Sequence, residues 1–170
     1  HAPFESFDTG PCLRFANQAQ FDPLKYLAGL SSAIQKNGGR IISQCHVEAI
    51  HSGRPHRVVT PSGTEVKAKS VVVATNIPIN DLFAIHTKQA AYLTYVVALQ
   101  VPRSAVTRAL YWDTLDPYHY LRIEDRSSPA GDECLLIVGG EDERTGQHDD
   151  AEQRYARLEA WARSHVPQAG

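Results

Sequence analysis

The sequence predicts an α+β fold with an α/β-like first half, in which two main helices accompany a mixed, largely antiparallel sheet. Three observations predict it. Two segments place apolar residues at helical spacing between recognisable end signals, and most of the remaining chain is short β-branched or aromatic runs parted by turn residues. No apolar run approaches the roughly 18 to 20 residues a bilayer crossing needs.

The first helix is signed at both ends. Asp22 can cap the free amides, Pro23 suits the first helical position, and Leu24, Leu27, Ala28, Leu30 and Ile34 recur on one face. Asn37-Gly38-Gly39 stops it. Short strands are expected at Arg40-Ile41-Ile42 and Val47–Ile50, then a hairpin of 57–60 and 65–68 about Pro61-Ser62-Gly63-Thr64. The run Ser70–Thr75, apolar on both faces, suits a buried parallel strand. Beyond Asn80 the pattern becomes antiparallel, with strands over 89–101, 109–113, 118–124 and 134–140. Turns fall at Pro102-Arg103-Ser104, Asp116-Pro117 and Ser127–Gly131. A last helix starts near Asp149 or Asp150, turns Tyr155, Leu158, Trp161 and Ala162 to one side, and ends before Pro167.

Composition bounds the function. Of 170 residues 42% are hydrophobic and 21% charged, with 17 Lys+Arg against 19 Asp+Glu, so an ordinary core forms and no basic excess serves nucleic acid. Residues 1–110 hold 11 basic and 6 acidic side chains, and residues 111–170 hold 6 and 13, an asymmetry that suggests halves that either belong to different structural units or face each other. The acidic stretch from Gly140 to Glu152 reads as a solvated loop. Cys12, Cys45 and Cys134 have no metal-ligand spacing and read as small buried thiols of a cytoplasmic protein. The absence of methionine, with a start at His1 that has no signal-peptide pattern, is most simply that of a piece of a longer protein.

Chemical motifs are sparse. There is no GxGxxG, GxxxxGK[ST], GxSxG or HExxH, so neither a phosphate cradle nor a hydrolase or zincin reading has an anchor. His46, His51 and His56 lack a fourth ligand, and Glu141, Asp142, Glu143, Asp149 and Asp150 lack a calcium-loop register. The richer cluster is Tyr111-Trp112-Asp113 with Tyr118-His119-Tyr120-Leu121-Arg122. Alternation places Tyr118, Tyr120 and Arg122 on one strand face, where two phenols and a guanidinium can receive a carboxylate; an aromatic strand packed on a core is the plainer alternative.

The ordered set Gln20-Phe21-Asp22-Pro23-Leu24-Lys25-Tyr26-Leu27, Gly38-Gly39-Arg40-Ile41, His46-Val47-Glu48-Ala49-Ile50, the hairpin and Val71-Val72-Val73-Ala74-Thr75-Asn76 resembles the FAD-dependent oxidoreductases of the D-amino-acid oxidase and glycine/sarcosine oxidase family. The resemblance covers most of residues 18–165. It implies that residues 1–80 are an incomplete FAD-binding portion and 81–170 a substrate-domain sheet with its helix. The family's amino-terminal glycine-rich loop and carboxy-terminal closing segment have no counterpart, so an interior fragment is expected, with FAD held by the full-length parent and scarcely by the fragment.

The resemblance further implies oxidation of a small-molecule amine or amino acid by hydride transfer to the flavin, chemistry that the cofactor carries. Tyr118, Tyr120 and Arg122 are then expected to contact substrate, and Lys88 and Gln89 to wall the flavin, with the Lys88 charge beside the ring. Val47, Ala74, Thr75 and Asn76 are expected on the adenosine and phosphate side. Two alternatives stay open: a standalone binding module, and a flavin dehydrogenase passing electrons to an iron–sulfur partner.

Overall fold

The computed structural model describes residues 1–4, 6–76, 79, 90–125 and 132–170. They form two compact units, Phe21–Gln89 and His1–Gln20 with Ala90–Gly170. The α+β class holds, with two helices and two antiparallel sheets.

In the first unit α1 (Pro23–Lys36) forms where its end signals lie. The Asp22 carboxylate accepts from the Leu24 and Lys25 amides at 2.9 and 3.1 Å, and these bonds hold it below the usual carboxylate range. Gly38 takes a left-handed φ of 81°, so that Gly39 N–H reaches the Ile34 carbonyl at 2.9 Å and Gly38 N–H the Gln35 carbonyl at 3.0 Å. Strands β1 (Ala49–His51), β2 (His56–Val59) and β3 (Glu65–Ala68) make a meander, with Val59 opposite both Ala49 and Glu65. Its second turn closes through Thr60 N–H to Thr64 at 3.0 Å, with Gly63 at φ 79°.

Two expected strands are absent. Arg40-Ile41-Ile42 is irregular, and Ser70–Thr75 is extended without a ladder, Val72 being 87% exposed. A parallel strand buried on both faces needs neighbours on both edges and layers above and below, and the described residues supply neither.

The second unit is a four-stranded sheet in the order β4-β7-β6-β5, from β4 (Tyr92–Pro102), β5 (Leu110–Trp112), β6 (His119–Asp125) and β7 (Glu133–Arg144). One face is covered by α2 (Ala151–His165). Val101, Leu121, Ile123, Cys134, Leu136 and Val138 from the sheet meet Leu158, Ala162 and Val166 there, all at most 3% exposed. The expected turn at Ser127–Gly131 lies outside the described residues. Of the thiols, Cys134 is buried as expected, whereas Cys12 and Cys45 are exposed because neither belongs to an element that packs on a core. No helix among the described residues is long and apolar enough to cross a membrane.

Candidate functional site: the open sheet face

Strand alternation decides which side chains leave the core. On β6, His119, Leu121 and Ile123 are buried, so Tyr120 and Arg122, with Tyr118 just before the strand, stand on the opposite face. Register aligns Val96, Gly139, Tyr120 and Trp112 in one row across four strands, and Ala98, Ile137, Arg122 and Leu110 in the next. Gly139 has a steric purpose: a Cβ there would stand 2.1 Å from Tyr120 Cζ, so the phenol ring occupies the space over β7 that a side chain would fill. Trp112 is 66% exposed beside it.

A bulge then reverses the pattern. Tyr95 pairs with Gly140 but Leu93 with Glu143, so β7 carries one extra residue opposite Thr94, and Glu141 takes the left-handed φ of 55°. Before the bulge the even-numbered residues of β7 face the core; after it the odd-numbered ones do. Glu141 and Glu143 consequently point toward α2, and Asp142 reaches the open face, where it accepts from the Tyr118 hydroxyl at 2.8 Å.

The acidic stretch is therefore not a solvated loop, since Glu141 and Glu143 are 5% and 7% exposed. Arg157 donates to Glu141 Oε2 at 2.6 and 3.0 Å, and Arg154 donates to the Glu141 carbonyl at 3.1 Å and to Asp150 at 2.8 Å. Glu143 Oε2 lies 3.2 Å from Arg154 and 3.4 Å from His148, in ion-pair range though without hydrogen-bond alignment, and Glu143 Oε1 takes the Tyr95 hydroxyl. Paired in this way, the carboxylates tolerate burial that would otherwise be costly. The hydrogen bond to Glu143 pushes Tyr95 up to about 12, and that from Arg154 holds Asp150 below the usual carboxylate range.

On the open face both phenols are also raised, Tyr118 by its bond to Asp142 and Tyr120 by burial, so both remain neutral donors around pH 7. Arg122 is partnered: its Nη1 lies 2.9 Å from Glu124 Oε2. Tyr118, Tyr120 and Arg122 thus share one face, as alternation alone indicates. Asp142 and Trp112 join them; β5–β6 pairing could have signalled Trp112, but only the bulge brings Asp142. Val47 lies half-buried ahead of β1, and Ala74, Thr75 and Asn76 lie in the exposed run after β3, in the other unit. Lys88 and Gln89 lie outside the described residues.

The family described as FAD dependent oxidoreductase (DAO) matches residues 2–170. The chain belongs to this family. A curated relative, "Putative Rieske 2Fe-2S iron-sulfur protein YhfW" of Bacillus subtilis (strain 168), is 28% identical over 151 residues. The match covers 88% of this chain and 29% of the relative, so the chain spans less than a third of that protein's length. No solved structure gives a significant match.

Family membership implies FAD in the whole enzyme, and the two helix ends can be tested against its pyrophosphate. Neither fits. At α1 the Asp22 carboxylate already occupies two of the free amides, and at α2 Asp150 and Glu152 make the first turn acidic. Among the described residues no group of three or more His, Cys, Asp or Glu is placed to hold a metal ion.

Proposed function

We propose that this chain is an interior portion of a larger flavoprotein that oxidises a small amine or amino acid, with residues 1–80 belonging to its FAD-binding portion and 81–170 to its substrate side, and that the open sheet face lines the substrate cavity. The observation that carries the reading is the row Val96, Gly139, Tyr120 and Trp112. An exposed apolar and aromatic surface, opened by a glycine and edged by phenol donors, belongs to a chain of the FAD dependent oxidoreductase family. FAD, when bound, supplies the hydride acceptor. Tyr120 and Trp112 exclude water from one side of the reacting carbon, and Tyr118 offers a neutral hydroxyl. Residues outside this chain grip the pyrophosphate. Val47, Ala74, Thr75 and Asn76 serve the adenosine side, and Lys88 and Gln89 the flavin side.

In the full-length flavoprotein, Tyr120→Ala should lower kcat/KM by tenfold or more and shift the flavin absorbance band, while the FAD content stays constant. An unchanged band together with unchanged kcat/KM removes the face from the site. Mixed with FAD, the 170-residue chain should leave flavin fluorescence unquenched; stoichiometric quenching would place the grip in this chain after all.

The relative named as a Rieske 2Fe-2S protein favours a second reading, in which electrons leave the flavin for an iron–sulfur centre and not for oxygen. Peroxide released in proportion to substrate by the full-length protein would exclude it.

A further inference from the structure

The open face holds more charge than its apolar row suggests, and that charge does not cancel. Arg122 and Glu124 neutralise one another at 2.9 Å. Asp142 has no cation within ion-pair distance among the described residues. Its Oδ2 accepts from Tyr118, while its Oδ1 is buried with no hydrogen-bond partner there. Oδ1 is enclosed and out of a ligand's reach, but the Tyr118–Oδ2 bond is exposed, so a cationic donor from outside can approach the uncompensated carboxylate through Oδ2. The surroundings specify what kind: Tyr118 and Tyr120 lie 6.4 Å apart, and Trp112 pairs with Tyr120 across β5–β6. Two phenol rings near a carboxylate that has no cation, with the exposed Trp112 one strand beyond them, attract an alkylammonium group and repel a carboxylate.

The residue is placed deliberately. Without the extra residue at Glu141, Asp142 would point to the core side of the sheet, and the Arg154 and Arg157 bonds to Glu141 hold that bulge in place. We propose that Asp142 is the charge-selecting residue of the open face, binding the cationic nitrogen of an alkyl- or arylammonium ligand while Tyr118, Tyr120 and Trp112 enclose its carbon substituents. As a statement about the substrate it rests on the cavity assigned above, and it narrows that substrate to amines recognised through nitrogen, in place of acids clamped by Arg122.

The test uses three probes of matched size, benzylammonium, benzyl alcohol and benzoate, titrated by calorimetry at neutral pH into the full-length flavoprotein while the flavin absorbance is recorded. The wild-type protein should prefer benzylammonium to the alcohol and the alcohol to benzoate. Asp142→Asn should weaken benzylammonium by about tenfold or more, as expected for a charge-assisted bond, and leave the alcohol unaffected. Tyr118→Phe, which frees the second oxygen, should retain the preference. Benzylammonium binding that depends on Asp142 but leaves the flavin band unmoved would uphold the charge selection and overturn the flavin-side assignment. Tighter benzoate binding by the wild type, or equal benzylammonium binding by Asp142→Asn, would overturn the charge selection, even where the band shift shows that the cavity is rightly assigned.

Discussion

Between Tyr95 and Ala169 the strands and α2 feed one core, and every buried apolar residue described lies in that span. By contrast α1, with the better end signals of the two helices, buries none of its residues and leaves Leu24, Leu27, Leu30 and Ile34 more than 40% exposed. Helix α2 is the reverse: Asp150 makes no side-chain cap, yet Leu158 and Ala162 are completely buried. Capping decides where a helix begins and ends, and packing decides whether it contributes to stability. Helix α1 thus keeps its apolar stripe uncovered among the described residues.

Urea denaturation breaks or sharpens that contrast most directly. Leu158→Ala should cost about 2–5 kcal/mol through lost burial and a cavity, while Leu27→Ala on the open stripe of α1 should stay within about 0.5 kcal/mol. Equal costs would mean that α1 packs as tightly as α2. Next, Arg154→Ala leaves Glu143 and Glu141 with one guanidinium fewer and should lower the urea midpoint, and an unchanged midpoint would deny the pairing its part in stability.

Gly139→Ala forces the Tyr120 ring aside and should cost about 1–3 kcal/mol. Because Tyr120 is the obstacle, combining it with Tyr120→Ala should cost less than the sum of the single changes, and strict additivity would place the ring elsewhere. The smallest effect concerns pH. Tyr95 rises from about 10 in an unfolded chain to about 12, so its bond to Glu143 stabilises fully below pH 10 and fades as pH climbs through 12. Tyr95→Phe should flatten the fall of Tm over that window, and a wild-type Tm that does not fall there would deny the bond.

Reading the sequence locates α1, α2, the meander and all four strands of the larger sheet to within a few residues, because caps, turns and alternation act over short distances. It also sorts Tyr118, Tyr120 and Arg122 onto one face, since a period of two needs only the strand itself. It misjudges Ser70–Thr75, whose burial depends on neighbours that the described residues do not include. The acidic stretch is misread too, because the residues that neutralise Glu141 and Glu143 come from a helix whose packing no local pattern reveals.

Local chemistry by itself determined the helix boundaries, the antiparallel class and the phenols' common face, as well as the family resemblance that the match to residues 2–170 bears out. Only the tertiary structure decided that Arg122 is neutralised, that Gly139 yields its space to Tyr120, and that Asp142 turns outward. The physical reason is the single extra residue at Glu141: one bulge inverts the alternation of everything after it, and what holds it open is a pair of arginines more than ten residues away.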